Sequence, residues 1–451
     1  MEVLAVLGVV IRLALVQRTD FARTLDQRVE VSTPVTSFKR MQEGVFLWRN
    51  NINPYEGGVF HQAPLLLALF HVLDDRMIPY LFILLDILVA KMLVEIAKHR
   101  ALDLKNQTWR PFFPSKEEKE ALLAHESAES KTVTKESGVK KSDPTIPTES
   151  ALVPLFVGVV YLLNPLSIVT CLARSMLVFN TAAVVTGVYF AVKGRQVYSM
   201  FFLALASYVS MYPVMFVLPC SMLIAKSLKV KIWPNIIFEQ PFSASPVSFL
   251  LFATFTIALL GVSNVLMGSW DFLESTYGVI LLVPDLQPNT GLWWYIFIEM
   301  FDQFRLFFLL VFQVFVVAFV LPLSLKFREH PLFVVAVFGI IIATFKSYPA
   351  VGDVAAYIPF VFMYQELFKY MKNLYIITHL GFSTCILLPL FYNLWIYAGS
   401  GNANFFYAIT LIVGVAQVLL LGDFIGAMVR REWERGEGYA FRGRRIEVML
   451  K

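Results

Sequence analysis

Between residues 151 and 429 the apolar runs follow one another with only brief polar breaks, and no other feature constrains the fold as strongly. A soluble chain of 451 residues, 57% of them hydrophobic and 16% charged, could not hide that much apolar surface. In hydrocarbon each backbone N–H and C=O must be satisfied within its own segment, so the runs must be helices. The chain reads as an all-α polytopic membrane protein of about 12 transmembrane helices, counting short or broken segments around Asn164 and Tyr212.

The polar breaks are of two alternating kinds. One set is basic: Lys193 and Arg195; Lys226, Lys229 and Lys231; Lys326 and Arg328; Lys369 and Lys372; and a tail with Arg430, Arg431, Arg442, Arg444 and Arg445. The other set is built from Pro, Asn, Gly, Ser and Asp: residues 164–167, 211–213, 284–292, 346–353 and 399–404. Basic loops stay in the cytosol, which puts both termini there and gathers the second set on the opposite face. Irregular backbone at membrane depth is tolerated where it lines a cavity, so a cavity is expected on that face.

Six stretches result. Residues 1–18 form an uncleaved first span containing Arg12, and residues 19–76 a non-cytosolic loop with an amphipathic interfacial helix within 34–53. Residues 77–97 cross again, and 98–150 form a charged, partly disordered cytosolic loop whose sequon at Asn106 would stay unglycosylated. Residues 151–429 make the multi-span bundle, and 430–451 the basic cytosolic tail.

The bundle is organised around no single catalytic motif but around residues 284–305, PDLQPNTGLWWYIFIEMFDQFR. Its prolines and Thr290-Gly291 make a loop that feeds a helix, with Trp293, Trp294 and Tyr295 at headgroup level. Glu299, Asp302 and Arg305 follow at spacings of three, on one helical face, either as a buried ion pair or as the lining of a site. Arg174, beside Asn180, must find a carboxylate or a lipid phosphate. In the second crossing Asp86 suits helix pairing, and Lys91 and Glu95 have the spacing of an ion pair.

At the last break, Asn402 and Asn404 carry side chains suited to phosphate or sugar oxygens, although Asn404 is equally placed to cap the following helix. His61 reads as a ligand contact or a capping residue. The net charge of +5 reflects cations flanking spans and needs no nucleic-acid partner. Cys171, Cys220 and Cys385 lie in apolar runs, the histidines show no metal spacing, and no cofactor motif occurs. The first-loop carboxylates Asp20, Asp26, Glu30, Glu43 and Glu56 form no DxD pair of the kind a sugar transferase using a dolichol carrier needs.

Six stretches then carry a resemblance: SFKRMQEGVFL, NPYEGGVFHQAPLL, YLLNPLSIVTCLARS, residues 269–301 through GVILLVPDLQPNTGLWWYIFIEMF, FKSYPAVGDVA, and WIYAGSGNANFFYAITL. In this order they resemble the PIG-U family, the polytopic subunit of the glycosylphosphatidylinositol (GPI) transamidase; the charged 98–150 insert is the departure from that pattern. The resemblance implies a bundle similar to the GT-C glycosyltransferases without their catalytic carboxylates, in the endoplasmic reticulum membrane. It implies partnership with a caspase-like cysteine protease subunit and no catalysis by this chain. GPI-binding residues would be Asn402, Asn404, Asp285, Asn289, Trp293, Trp294, His61 and Asp353, with Glu299, Asp302, Arg305 and Arg174 as structural intramembrane charges. An active glycosyltransferase would instead require Asp20 or Asp26. A transporter would show an inverted repeat, and none is visible.

Overall fold

The computed structural model describes residues 2–16, 19–106, 148–228 and 245–436. Most of the 98–150 loop, Lys229, Lys231 and the tail from 437 with Arg442, Arg444 and Arg445 lie outside the described residues. Every regular element among the described residues is a helix. In order they are α1 (Glu2–Val16), α2 (Thr19–Asp26), α3 (Phe38–Arg49), α4 (Pro64–Val72), α5 (Ile78–Asn106), α6 (Thr148–Leu162), α7 (Pro165–Leu172), α8 (Leu177–Val192), α9 (Gln196–Val209) and α10 (Val217–Ser227). There follow α11 (Ser245–Met267), α12 (Val279–Leu282), α13 (Trp293–Glu299), α14 (Asp302–Ala318), α15 (Val320–Lys326), α16 (Pro331–Phe345), α17 (Val351–Phe362), α18 (Leu374–Ile396) and α19 (Ala403–Gly436).

Among the described residues, four helices are long and apolar enough to cross a membrane: Ser245–Met267, Asp302–Lys326, Leu374–Ile396 and Ala403–Glu434. A fifth crossing results if Val153–Leu162 and Pro165–Leu172, bent by 45°, count as one. Pro165 explains the bend. It cannot donate to the preceding turn, and Asn164 caps the new helix by accepting from the Leu166 N–H at 2.9 Å.

The centre of the bundle is α16, apolar all round and buried on nearly every side, as a helix without a polar face must be. α10, α17 and α19 pack against it, with α14, α15 and the 3₁₀ turn Tyr212–Phe216 at its margins. Small residues allow close approach: a β-carbon on Gly187 of α8 would sit 2.9 Å from Leu203 of α9. α18 and α19 form an outer hairpin, with α19 returning to the core through Phe424 against Phe333.

Charge explains how α1 stays attached. Arg12 is fully buried and pairs with Asp86 of α5 at 2.8 Å, while donating to the Leu162 carbonyl and to Ser167. Asp86 therefore pairs across helices. The expected Lys91–Glu95 pair does not form; Glu95 pairs with Lys98 at 2.6 Å, because α5 continues past residue 97 to Asn106 and brings Lys98 onto the same face. α3 forms within 34–53, but its apolar face lies on the chain itself: Phe38 meets Phe70 and Phe82, and Phe46 is left exposed.

Candidate functional site

The Pro/Asn/Gly breaks meet at one end of the bundle. Residues 284–293 lie against 345–350 through a run of bonds: the Tyr348 hydroxyl donates to the Asp285 carbonyl at 2.9 Å, Thr290 Oγ1 to the Pro349 carbonyl at 3.0 Å, and Trp293 Nε1 to the Phe345 carbonyl at 3.0 Å. Gly291 is required here, since a β-carbon would sit 2.5 Å from Pro349 Cγ. The Asp285 carboxylate is held by Arg40 at 2.7 Å, and Arg40 also donates to the Val59 carbonyl. Asn289 is fully buried; its oxygen accepts from the Gly291 N–H at 2.8 Å and its NH2 donates to the Gln287 carbonyl. Asp353 pairs with Lys346 at 2.6 Å and accepts the Ala350 N–H, capping α17. His61 is buried, its Nδ1–H donating to the Ser275 carbonyl at 2.9 Å; burial holds the imidazole below the usual histidine range.

Trp293 and Trp294 are buried in the protein, correcting the expectation of an interfacial belt. They point to different clusters. Trp293 packs on Phe297 and Phe312, whereas Trp294 packs on Trp395, Phe406 and Tyr407. α13 thereby ties α14 to the α18–α19 hairpin.

The shared face expected for Glu299, Asp302 and Arg305 is also corrected. α13 stops at Glu299, extended backbone at Met300 and Phe301 intervenes, and α14 starts at Asp302. Asp302 in the first turn of α14 suits the macrodipole and favours the restart there, whereas Glu299 at the end of α13 opposes it. Both carboxylates are exposed, and among the described residues neither forms an ion pair. Arg305 instead donates to the Val283 carbonyl at 2.7 Å, where the left-handed Val283 ends α12, and lies over the Phe297 ring. Arg174, also left-handed, lies 4.2 Å from the Phe38 ring, and its charge acts on Asp26. Burial pushes the Asp26 carboxyl up, against Arg174 and the N–H groups of Phe38 and Lys39 at the start of α3.

The last break differs. Gly399 takes a φ of 63°, and the N–H groups of Ser400 and Gly401 close α18 on the Leu394 carbonyl at 3.0 Å. Asn402, rather than Asn404, caps α19, its oxygen accepting the Phe405 N–H at 3.3 Å. The Asn404 oxygen accepts from the Tyr295 hydroxyl, and the Tyr295 and Tyr407 rings stack at 4.7 Å. Both asparagines are exposed, and no group among the described residues engages either side-chain NH2. Two donors remain for a ligand bearing oxygen acceptors.

Sequence reasoning missed Tyr295 and Tyr407 as partners of this turn, and Arg28 as a partner of α18. Arg28 reaches from the first loop to the Pro389 carbonyl of α18 at 3.2 Å and over the Tyr392 ring. Tyr295, flanked by Trp294 and Ile296, looks like packing, and nothing in the sequence signals that it meets a residue 109 positions away.

Fold and site together define a multi-helix membrane protein whose loop end is locked by its own polar bonds except at one asparagine turn. The chain belongs to the PIG-U family, described as GPI transamidase subunit PIG-U, which it matches over residues 6–413. It is 37% identical over 432 residues to the GPI-anchor transamidase component PIGU of Homo sapiens, covering 95% of this chain and 93% of that protein. The GPI transamidase component GAB1 of Saccharomyces cerevisiae is 34% identical over 417 residues, 91% of this chain and 90% of its own length. A GAB1 homologue of Schizosaccharomyces pombe is 30% identical over 419 residues, 92% and 90%.

Proposed function

We propose that this chain is a non-catalytic subunit of the endoplasmic reticulum GPI transamidase, which binds the GPI lipid and presents it for attachment to the C-terminus of precursor proteins. Its relatives' names support the complex, and the asparagine turn supports the lipid. The observation that carries the reading is the pair of unengaged NH2 groups on Asn402 and Asn404, exposed on a turn that Tyr295 and Tyr407 hold in place. Phosphate and sugar oxygens of a GPI headgroup accept from them. Glu299, exposed beside Tyr295, offers a carboxylate to a cationic part of the same headgroup.

On this reading the bundle has a GT-C-like arrangement of about 12 helices with both termini cytosolic, so that the loop end faces the lumen. A caspase-like cysteine protease subunit forms the acyl-enzyme with the precursor. Holding the acceptor amine in line with that acyl group, away from competing water, is where a non-catalytic subunit accelerates the transfer. The test is Asn402→Ala plus Asn404→Ala in cell membranes. Transamidation should fall roughly tenfold or more, the loss of about one or two hydrogen bonds to a charged group, with the complex still assembled. Unchanged transamidation would overturn the reading.

A further inference from the structure

α5 carries a cation on a face that none of the described residues covers. From Ile78 to Lys98 the helix runs for about 30 Å at 1.5 Å per residue, the thickness of the hydrocarbon core. Its inner sides pack on α6 and α8, and Asp86 turns inward to Arg12. The outward stripe is Tyr80, Leu84, Leu88 and Lys91, recurring at helical spacing, and all four side chains are exposed. Lys91 lies about 10 Å short of Lys98 along the axis. Among the described residues no carboxylate pairs with it, since Glu95, one turn on, is held by Lys98 at 2.6 Å.

The other outward helices make the contrast. α11, residues 306–325 of α14 and α15, and α18 are exposed along most of their length, and none of the three carries an Asp, Glu, Lys or Arg. Hydrocarbon demands that composition of a face it wets, because an unpaired charge is costly there. The outward stripe of α5 departs from it at Lys91. Snorkelling is a poor remedy at this position, because the Cα–Cβ bond tilts toward the helix N-terminus, away from the nearer end of the span at Lys98.

We infer that the outward stripe of α5 docks a transmembrane helix of another transamidase subunit, one that lays apolar side chains against Tyr80, Leu84 and Leu88 and presents an Asp or Glu at the level of Lys91. The ion pair satisfies two charges that neither helix satisfies alone. A transamidase subunit needs a face for its partners, and this is the outward face that charge marks. The inference rests on α5 as a membrane crossing and not on the lipid reading of the asparagine turn.

The test is photocrosslinking of the assembled complex in membranes, with benzoylphenylalanine in place of Leu84 or, separately, of Leu88. The crosslink should run to a membrane segment of a partner subunit that holds an Asp or Glu at the level of Lys91. Lys91→Glu should lower the crosslink and the co-purified partner roughly tenfold or more, as for a charge stranded at an interface, and Lys91→Arg should keep both. Replacing the mapped acid by Lys should restore the crosslink in the Lys91→Glu chain. The crosslink at Leu84 or Leu88 identifies the occupant whether or not the charge variants fold. Crosslinks to phospholipid alone, a crosslinked segment without an acid at that level, or a Lys91→Glu complex with its crosslink intact would overturn the inference.

Discussion

Two parts of the loop end use the same residue types to opposite ends. Along 284–293 and 345–353, Asp285, Asn289 and Asp353 are each engaged by the chain itself, to Arg40, Gly291 and Lys346. At 399–404, Asn402 and Asn404 engage only their oxygens and leave their NH2 groups outward. A polar motif residue is therefore informative about ligands only once its internal partners are known. The first part sets the shape of the end, and the second is the part able to meet another molecule.

The largest expected effect that would break this contrast is structural. Trp294→Ala empties a buried site between α13 and the hairpin and should cost about 4 kcal/mol, seen as loss of folded protein in a thermal assay. If it leaves stability intact, α13 does not tie the hairpin to the core. Arg40→Ala comes next. It strands a largely buried Asp285 carboxylate and should cost about 2–3 kcal/mol, with Arg40→Ala plus Asp285→Ala recovering part of that; no recovery would deny the pair its role.

Smaller effects sharpen the contrast. Asn402→Ala removes a helix cap on an exposed turn and should cost no more than about 1 kcal/mol, so any larger fall in transamidation reports on ligand rather than folding. His61 gives a pH effect. Its folded imidazole is held below the unfolded value near 6.5, so the unfolded chain binds more protons and stability falls as pH drops below about 6.5. Arg40 and Asp285 face His61 and shift it in opposite directions. Denaturation at pH 7.5 and 5.5 should show a larger acid loss in wild type than in His61→Gln; equal losses would mean that the imidazole is not held neutral.

Much of the architecture was legible because hydrocarbon permits few solutions. Apolar runs, prolines at 165 and 331 and the Gly399–Asn404 turn mark helices and their ends directly. The break after Glu299 was not legible, because Met300 and Phe301 are good helix residues and the interruption arises from where α13 and α14 must pack. The same limit applies to the site. Asn402 and Asn404 are conspicuous in sequence, but so are Asp285, Asn289 and Asp353, and nothing in the sequence says that these three are taken up by Arg40, by Gly291 and Gln287, and by Lys346 and Ala350. Arg12 shows the converse: a charge in an apolar run demands a partner, yet Asp86 is one of several candidates until the helices are placed.

The most direct measurement is native mass spectrometry of the detergent-purified complex, comparing wild type, Asn402→Ala plus Asn404→Ala, and Asn289→Ala. Wild type should retain GPI. The double variant should lose it while keeping its partner subunits, and Asn289→Ala should lower stability with GPI still bound to whatever folds. GPI retained by the double variant at the wild-type level would contradict the assignment of the asparagine turn as the headgroup site.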